Sequence, residues 1–285
     1  MTRVNLEKKF AKIDDLPSLS TTANNVIRIT QNPKSSAGDV GKAISHDQSL
    51  TTKVLRTANS TYFGFPKKIS TITHAIVILG FAHIKNIVLT TSIMDMFPSK
   101  GKNEVFDRQG FWKHSLACAI TADLIARRLG MQNLEEIFIC GMLHDIGKIV
   151  LDTYLNDEFT NAVKLANEKE ILLINAEKQV MSLDHASVGG FVAEKWNLAL
   201  TLTKAIKFHH NPSFANESMR MVAIVHVADV LCRTIGIGNG GDSKVPCIDE
   251  ESWKLLGLNK QTLKHLFLEM EQQVSIAHDF MPTKG

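Results

Sequence analysis

Apolar residues along this chain recur three and four positions apart and almost nowhere alternate with polar ones. Such spacing lays a hydrophobic stripe along one face of a helix, whereas strict alternation would mark a half-buried strand. No convincing hairpin interrupts the pattern. The expected fold is all-α.

The punctuation between stripes predicts the elements. A first helix covers residues 20–30 and stops at Asn32-Pro33. Ser36 with Asp39 reads as a reciprocal N-terminal cap for a helix over 38–44, and a third runs over 49–58. The aromatic stretch 62–66 is a turn. Ser70 is expected to cap a helix ending at Gly80, followed by one over 82–96 that Pro98 closes. Beyond the breaker-rich segment 98–103 come a long helix over 111–129 with Gly130 as its left-handed stop, and a helix capped by Asn133 and Glu136 that ends near His144. Further helices are expected over 157–169, over 185–196 with Asp184 as cap, and over 201–209. The stretch 218–235 is apolar on almost every face and reads as the central buried helix. The run 236–242 is expected to be a flexible loop, and two helices over 250–256 and 260–277 end the chain. The expected division is a polar leader at 1–13, an N-terminal helical subdomain at 14–100, a second helical subdomain at 101–240, and C-terminal helices at 241–285.

Composition narrows the class. At 285 residues there is ample material for a core, and a formal net charge of +3 is too small to argue for nucleic acid or a membrane surface. No uninterrupted apolar run long enough to span a bilayer is read, and Glu7, Lys8 and Lys9 stand where a signal peptide would be apolar. Cys118, Cys140, Cys232 and Cys247 lack paired spacing, and the first three sit in apolar helical patterns as core residues. A cytoplasmic location is the expectation.

The chemistry gathers around G-M-L-H-D-I-G-K, residues 141–148, where a neutral nitrogen donor, His144, adjoins an anionic oxygen donor, Asp145. His114 lies upstream, with His185, His209-His210 and Asp229 downstream. Histidines and carboxylates projecting inward from several helices are how helical bundles hold metal. Imidazole-rich sets suit Fe, Mn or Zn, and one carboxylate can offer an oxygen to each of two ions. Asp229, three residues after His226 on the same helix face, must be paired or metal-bound if buried. His226 itself reads as a packing residue behind the ligands. His46, His74, His83, His265 and His278 need only surface or capping roles. Lys148 has two readings: an ammonium beside a substrate phosphate, or a lysine in the last turn of a helix.

The order His114, His144-Asp145, His185, His209-His210, Asp229 resembles the binuclear HD phosphohydrolases. L-P-S-L-S from Leu16, the string from His46 to Ser60, I-T-H-A-I-V-I-L-G from Ile72, D-H-A-S-V-G-G-F-V-A-E-K-W and F-H-H-N-P resemble a narrower group, the HDOD domain, an HD-related output domain of bacterial signalling. The resemblance spans about residues 16–235 and implies an HD-domain-like bundle preceded by a helical subdomain. It implies His114, His144, Asp145 and Asp229 as ligands of one metal, and Asp145, His185, His209 and His210 as ligands of a second. Two divalent ions are implied, Fe or Mn before Zn or Mg. HD-GYP cyclic-di-GMP phosphodiesterases carry a Gly-Tyr-Pro loop after the histidine doublet, where this chain reads N-P-S-F-A-N-E-S; Gly110 stands where their trinuclear members place a glutamate. Neither a third metal nor cyclic-di-GMP is therefore implied. The expected function is a signal-transduction output module that meets protein partners. The alternatives are a metal-dependent phosphohydrolase on a nucleotide or other phosphoester, with Asp145 and Lys148 catalytic, and a di-iron oxygenase. With no sensor or receiver segment legible, any signal is expected from another protein.

Overall fold

The computed structural model describes residues 16–97 and 105–276; the expected leader, the 98–103 boundary and His278 lie outside them. Every regular element among the described residues is helical. Among the described residues the chain forms two compact units, one of 17–97 with 271–276, the other of Leu16 with 105–270.

In the smaller unit, α1 (Thr21–Thr30), α2 (Ala37–Ser45) and α3 (Gln48–Ala58) pack on α4 (Ile72–Met96). The Ser36–Asp39 capping box forms as the spacing predicts, and Asp47 caps α3. The cap of α4 is Thr71, whose hydroxyl accepts from the His74 amide at 3.2 Å, one residue later than expected. Asn59 clamps the aromatic turn by donating to the Ile69 carbonyl at 2.8 Å and accepting from its amide at 2.7 Å. At Gly80 the φ of +83° breaks the helical path, where a side chain would be strained. By length and composition α4 is apolar enough to cross a membrane, which the expected pair of shorter helices hid. However, 44% of its most apolar window is buried within the protein.

The larger unit is built on α5 (Arg108–Arg128), which packs against α6 (Leu134–Leu143) and α12 (Met219–Thr234). Residues 221–232 of α12 are buried without interruption, as an all-round apolar helix requires. Between them run α7 (Ile146–Tyr154), α8 (Asn156–Glu168), α9 (Leu173–Met181), α10 (His185–Lys195), α11 (Leu200–Phe208) and a 3-10 turn, Pro212–Ser218. Helices α13 (Glu250–Leu255) and α14 (Lys260–Ile276) follow. Asp184 caps α10 and Gly130 turns the chain after α5 at φ +66°, both as expected. Asn133 makes no side-chain cap, because its ψ of 57° is not the extended geometry that aims an N-cap oxygen at the helix.

Two helices escaped the periodicity. Both α7 and α9 are nine residues long and start without a side-chain cap, so no punctuation marks them. A buried ion pair ties α7 to α5, with Arg108 Nε donating to Asp152 Oδ2 at 2.6 Å.

Glycines let the helices carrying the chemistry approach closely. A Cβ on Gly141 would lie 2.7 Å from the Ala119 Cα, so α6 meets α5 backbone to backbone. A Cβ on Gly147 would lie 1.9 Å from the His185 carbonyl oxygen, so α7 rests on the start of α10. These two residues bracket His144-Asp145.

Candidate metal centre

The break between α6 and α7 falls at His144-Asp145, which lets the two side chains leave the backbone in different directions. His144 is the last residue of one helical path and Asp145 precedes the next, at φ −99° and ψ 10°. Around them α5 brings His114, α10 brings His185, the end of α11 brings His209 and His210, and α12 brings Asp229. His114, His144, Asp145, His185, His209 and Asp229 are at most 3% exposed, and His210 is half-buried.

The proton positions follow from what each ring faces. His144 Nδ1 lies 2.8 Å from the Gly141 carbonyl oxygen and His209 Nδ1 lies 2.8 Å from that of Ile206. A carbonyl can only accept, so each Nδ1 carries the proton and donates. In neutral rings both Nε2 lone pairs then point inward. They face Asp145: His144 Nε2 is 3.3 Å from Oδ2, and His209 Nε2 is 3.4 Å from Oδ1. His185 is oriented by Glu177, which accepts from both its Nδ1 at 2.7 Å and its main-chain amide at 2.9 Å. Its Nε2 lies 3.3 Å from Asp145 Oδ1 and 2.8 Å from His210 Nε2. His114 Nε2 lies 3.0 Å from Asp229 Oδ1, with Nδ1 3.3 Å from the Ile237 carbonyl.

Lone pairs aimed at carboxylate oxygens repel one another unless a cation or protons stand between them. His144 Nε2, Asp145 Oδ1 and His209 Nε2 are buried without a hydrogen-bond partner, a costly arrangement for three atoms in one place. The donor set therefore fits divalent metal. The donors fall into two groups, each with its ligand atoms within 4.8 Å of one another: His114, Cys118, His144 and Asp229, then Asp145, His185, His209 and His210. The two Asp145 oxygens face one group each.

Without metal, protons take over part of the balancing. Burial alone would raise the Asp145 carboxyl, but the charges of His144 and Lys148 hold it well below the ordinary carboxylate range. Asp229 is likewise held low against burial, by His114 and Arg233. Burial opposes charge on His185, yet Glu177 raises it to about 9. His144 is also raised, the neighbouring Asp145 and Asp229 outweighing burial. Burial lowers His209 to about 4 and drives His210 well down, helped by the rings beside it.

Lys148 is not in the last turn of a helix but in the first turn of α7, where its charge opposes the helix dipole. Its ammonium is 1% exposed and donates to Asp145 Oδ2 at 2.5 Å and to the Gly240 carbonyl at 2.7 Å. The 236–242 loop is thus tied in place rather than free. Gly238 lies so close that a Cβ would come within 2.4 Å of the His114 amide nitrogen, and Asn239 donates to the Gly110 carbonyl at 2.9 Å. A cleft of about 400 Å³ runs beside the loop, lined by His114, Arg233, Asn239 and Lys244 among others. A Cβ on Gly110 would meet Asp107 Oδ2 at 2.3 Å and the Asn239 Cβ at 2.8 Å, so nothing larger fits there as the site stands.

Two contributors were not anticipated. Glu177 sits on the unanticipated α9, eight residues before the histidine it orients. Cys118, expected as core, is buried but has its Sγ 3.4 Å from His114 Nε2. A histidine followed four residues later by cysteine, H-S-L-A-C, would have been the signal. His226 stands outside both groups: its Nδ1 donates to the His209 carbonyl at 2.8 Å and its Nε2 accepts from the Asp249 amide at 2.9 Å.

Comparison with known proteins covers most of the chain. The HDOD domain model matches residues 16–212. The crystal structure of an HDOD domain protein of unknown function from Geobacter sulfurreducens is 26% identical, with a TM-score of 0.81 and 98% of each chain covered. A candidate phosphohydrolase from Shewanella amazonensis SB2B, 24% identical, shares the fold at a TM-score of 0.73, over 96% of this chain and 98% of that one. An uncharacterized protein from Treponema pallidum is 26% identical over 224 residues, 78% of this chain. The match spans only 43% of that relative's length.

Proposed function

The chain belongs to the HDOD family, and from that premise we propose that it is a signal-transduction output module built around an HD-type two-metal centre. The observation that carries the metal reading is the trio of buried, unpartnered atoms on His144, Asp145 and His209. His114, His144 and Asp229 would hold one ion and His185, His209 and His210 the other, with Asp145 between them. Iron or manganese suits this imidazole-rich set, with zinc or magnesium as alternatives. Bound ions of this type activate water and neutralise phosphoryl charge.

What favours a module over a hydrolase is the environment of Lys148. An ammonium meant for substrate phosphate should have a free face, yet this one is spent on Asp145 and the Gly240 carbonyl. The protein's own residues hold the ligands in their tautomers and exclude water. Protein partners would meet apolar surface, which both units offer: Phe65, Val77 and Ile78 are exposed in the smaller one, Leu200 and Phe214 in the larger.

The second reading, a phosphohydrolase acting on a nucleotide or another phosphoester, draws on the cleft beside His114. Purification without chelator followed by metal analysis should find transition metal bound. A phosphoester panel run on wild type and Asp145→Ala should then give equal, negligible turnover. Turnover in wild type at least tenfold above the variant would replace the module with the hydrolase.

A further inference from the structure

We propose that Cys118 is a thiolate ligand of the ion on the His114 side, completing an S, N, N, O set with His114, His144 and Asp229. The inference rests on the two-metal reading and adds to it the identity of a donor. His114 and Cys118 are one turn apart on α5, so both face the same point. The Sγ is 3.4 Å from His114 Nε2, which in turn is 3.0 Å from Asp229 Oδ1; His144 Nε2 is 4.0 Å from that oxygen. Around a tetrahedral ion with bonds of about 2.0–2.3 Å, neighbouring donors stand roughly 3.3–3.8 Å apart. The Cys118–His114 separation falls in that range, and all four donor atoms lie within 4.8 Å of one another. His144 Nε2, fully buried and without a hydrogen-bond partner, is the independent sign that something belongs among these atoms.

Asp145 Oδ2 faces this half of the centre as well, 3.3 Å from His144 Nε2, and is also paired with the Lys148 ammonium. Cys118 adds a sulfur donor to the nitrogen and oxygen donors of His114, His144 and Asp229. As the metal–sulfur bond forms, the thiol proton is released to solvent. A thiolate shifts preference at this position toward zinc or iron and away from magnesium. Four protein donors also close the position, as in structural metal sites, leaving any open coordination place to the other ion.

Cobalt(II) titrated into chelator-stripped protein tests this. Wild type should show visible d–d bands together with a near-ultraviolet sulfur-to-cobalt charge-transfer band. Cys118→Ser should lose the charge-transfer band and keep the visible bands of the second position. Cys232→Ser, removing another buried thiol, the one 3.4 Å from the Thr121 hydroxyl, should keep both. Visible bands without charge transfer in wild type would remove Cys118 as a ligand while leaving the metal centre standing. No cobalt uptake would overturn the two-metal reading and this inference with it. Should Cys118→Ser fail to fold, cadmium-113 resonance of the wild type decides instead: a sulfur-deshielded signal supports the ligand, and its absence refutes it.

Discussion

The two halves of the centre use the same residue types and treat them differently. On the His114 side, the rings are held by main-chain carbonyls of Gly141 and Ile237, which are neutral and cannot titrate. On the other side, His185 is held by the Glu177 carboxylate, itself fully buried. A carbonyl fixes only orientation, whereas a carboxylate fixes orientation and raises the basicity of the ring. One half is therefore set by backbone geometry, whereas the other adds a buried carboxylate at His185 to the Ile206 carbonyl that holds His209.

The largest blow to this contrast should come from Gly147→Ala. A methyl 1.9 Å from the His185 carbonyl forces α7 and α10 apart, and overpacking of this kind costs ~3 kcal/mol or more. The expected result is a lowered thermal midpoint with loss of metal from the His185 half first, read by calorimetry and metal analysis. Glu177→Gln should act more locally, lowering metal affinity of the His185 half about 10–100-fold while sparing the His114 half. Competition with a chelator measures it, and equal losses at both halves would erase the distinction.

The remaining expected effect is on pH. In metal-free protein, His185 is raised to about 9 from an ordinary value near 6.5, with His144 shifted the same way. A raised imidazole stabilises the fold fully below about 6.5 and loses that contribution as pH rises through about 9. The lowered groups, His209 and the carboxylates, change stability only at lower pH. Chelated protein should therefore melt at a lower temperature at pH 9.5 than at pH 6.5. Metal binding must displace the His185 proton, so affinity should rise by about tenfold per pH unit over the same window. Opposite trends in melting and metal affinity would show that protons and metal compete for the same buried rings.

The fold was largely legible because several helices are amphipathic and begin at readable side-chain caps such as Ser36 and Asp184. Periodicity failed at α7, which is nine residues long, starts without a side-chain cap and follows directly on His144-Asp145, so little in the sequence sets it apart. The rare residue types could be gathered from the sequence, since histidine beside aspartate stands out in an apolar chain. Cys118 did not stand out, because a buried cysteine looks the same in a core as at a metal. Glu177 was invisible for lack of its helix. The part played by the 236–242 loop was beyond reach, since its contacts to Lys148 and His114 are made by the carbonyls of Gly240 and Ile237, which every residue possesses.

That loop gives the centre a time dimension. An ion held by buried donors leaves only as fast as the protein opens, however weak the individual bonds. The ties of Gly240 to Lys148, Ile237 to His114 and Asn239 to Gly110 must be released for the strap to lift. On the two-metal reading, metal exchange in the His114 half should then be slower than the strength of its individual bonds alone would set.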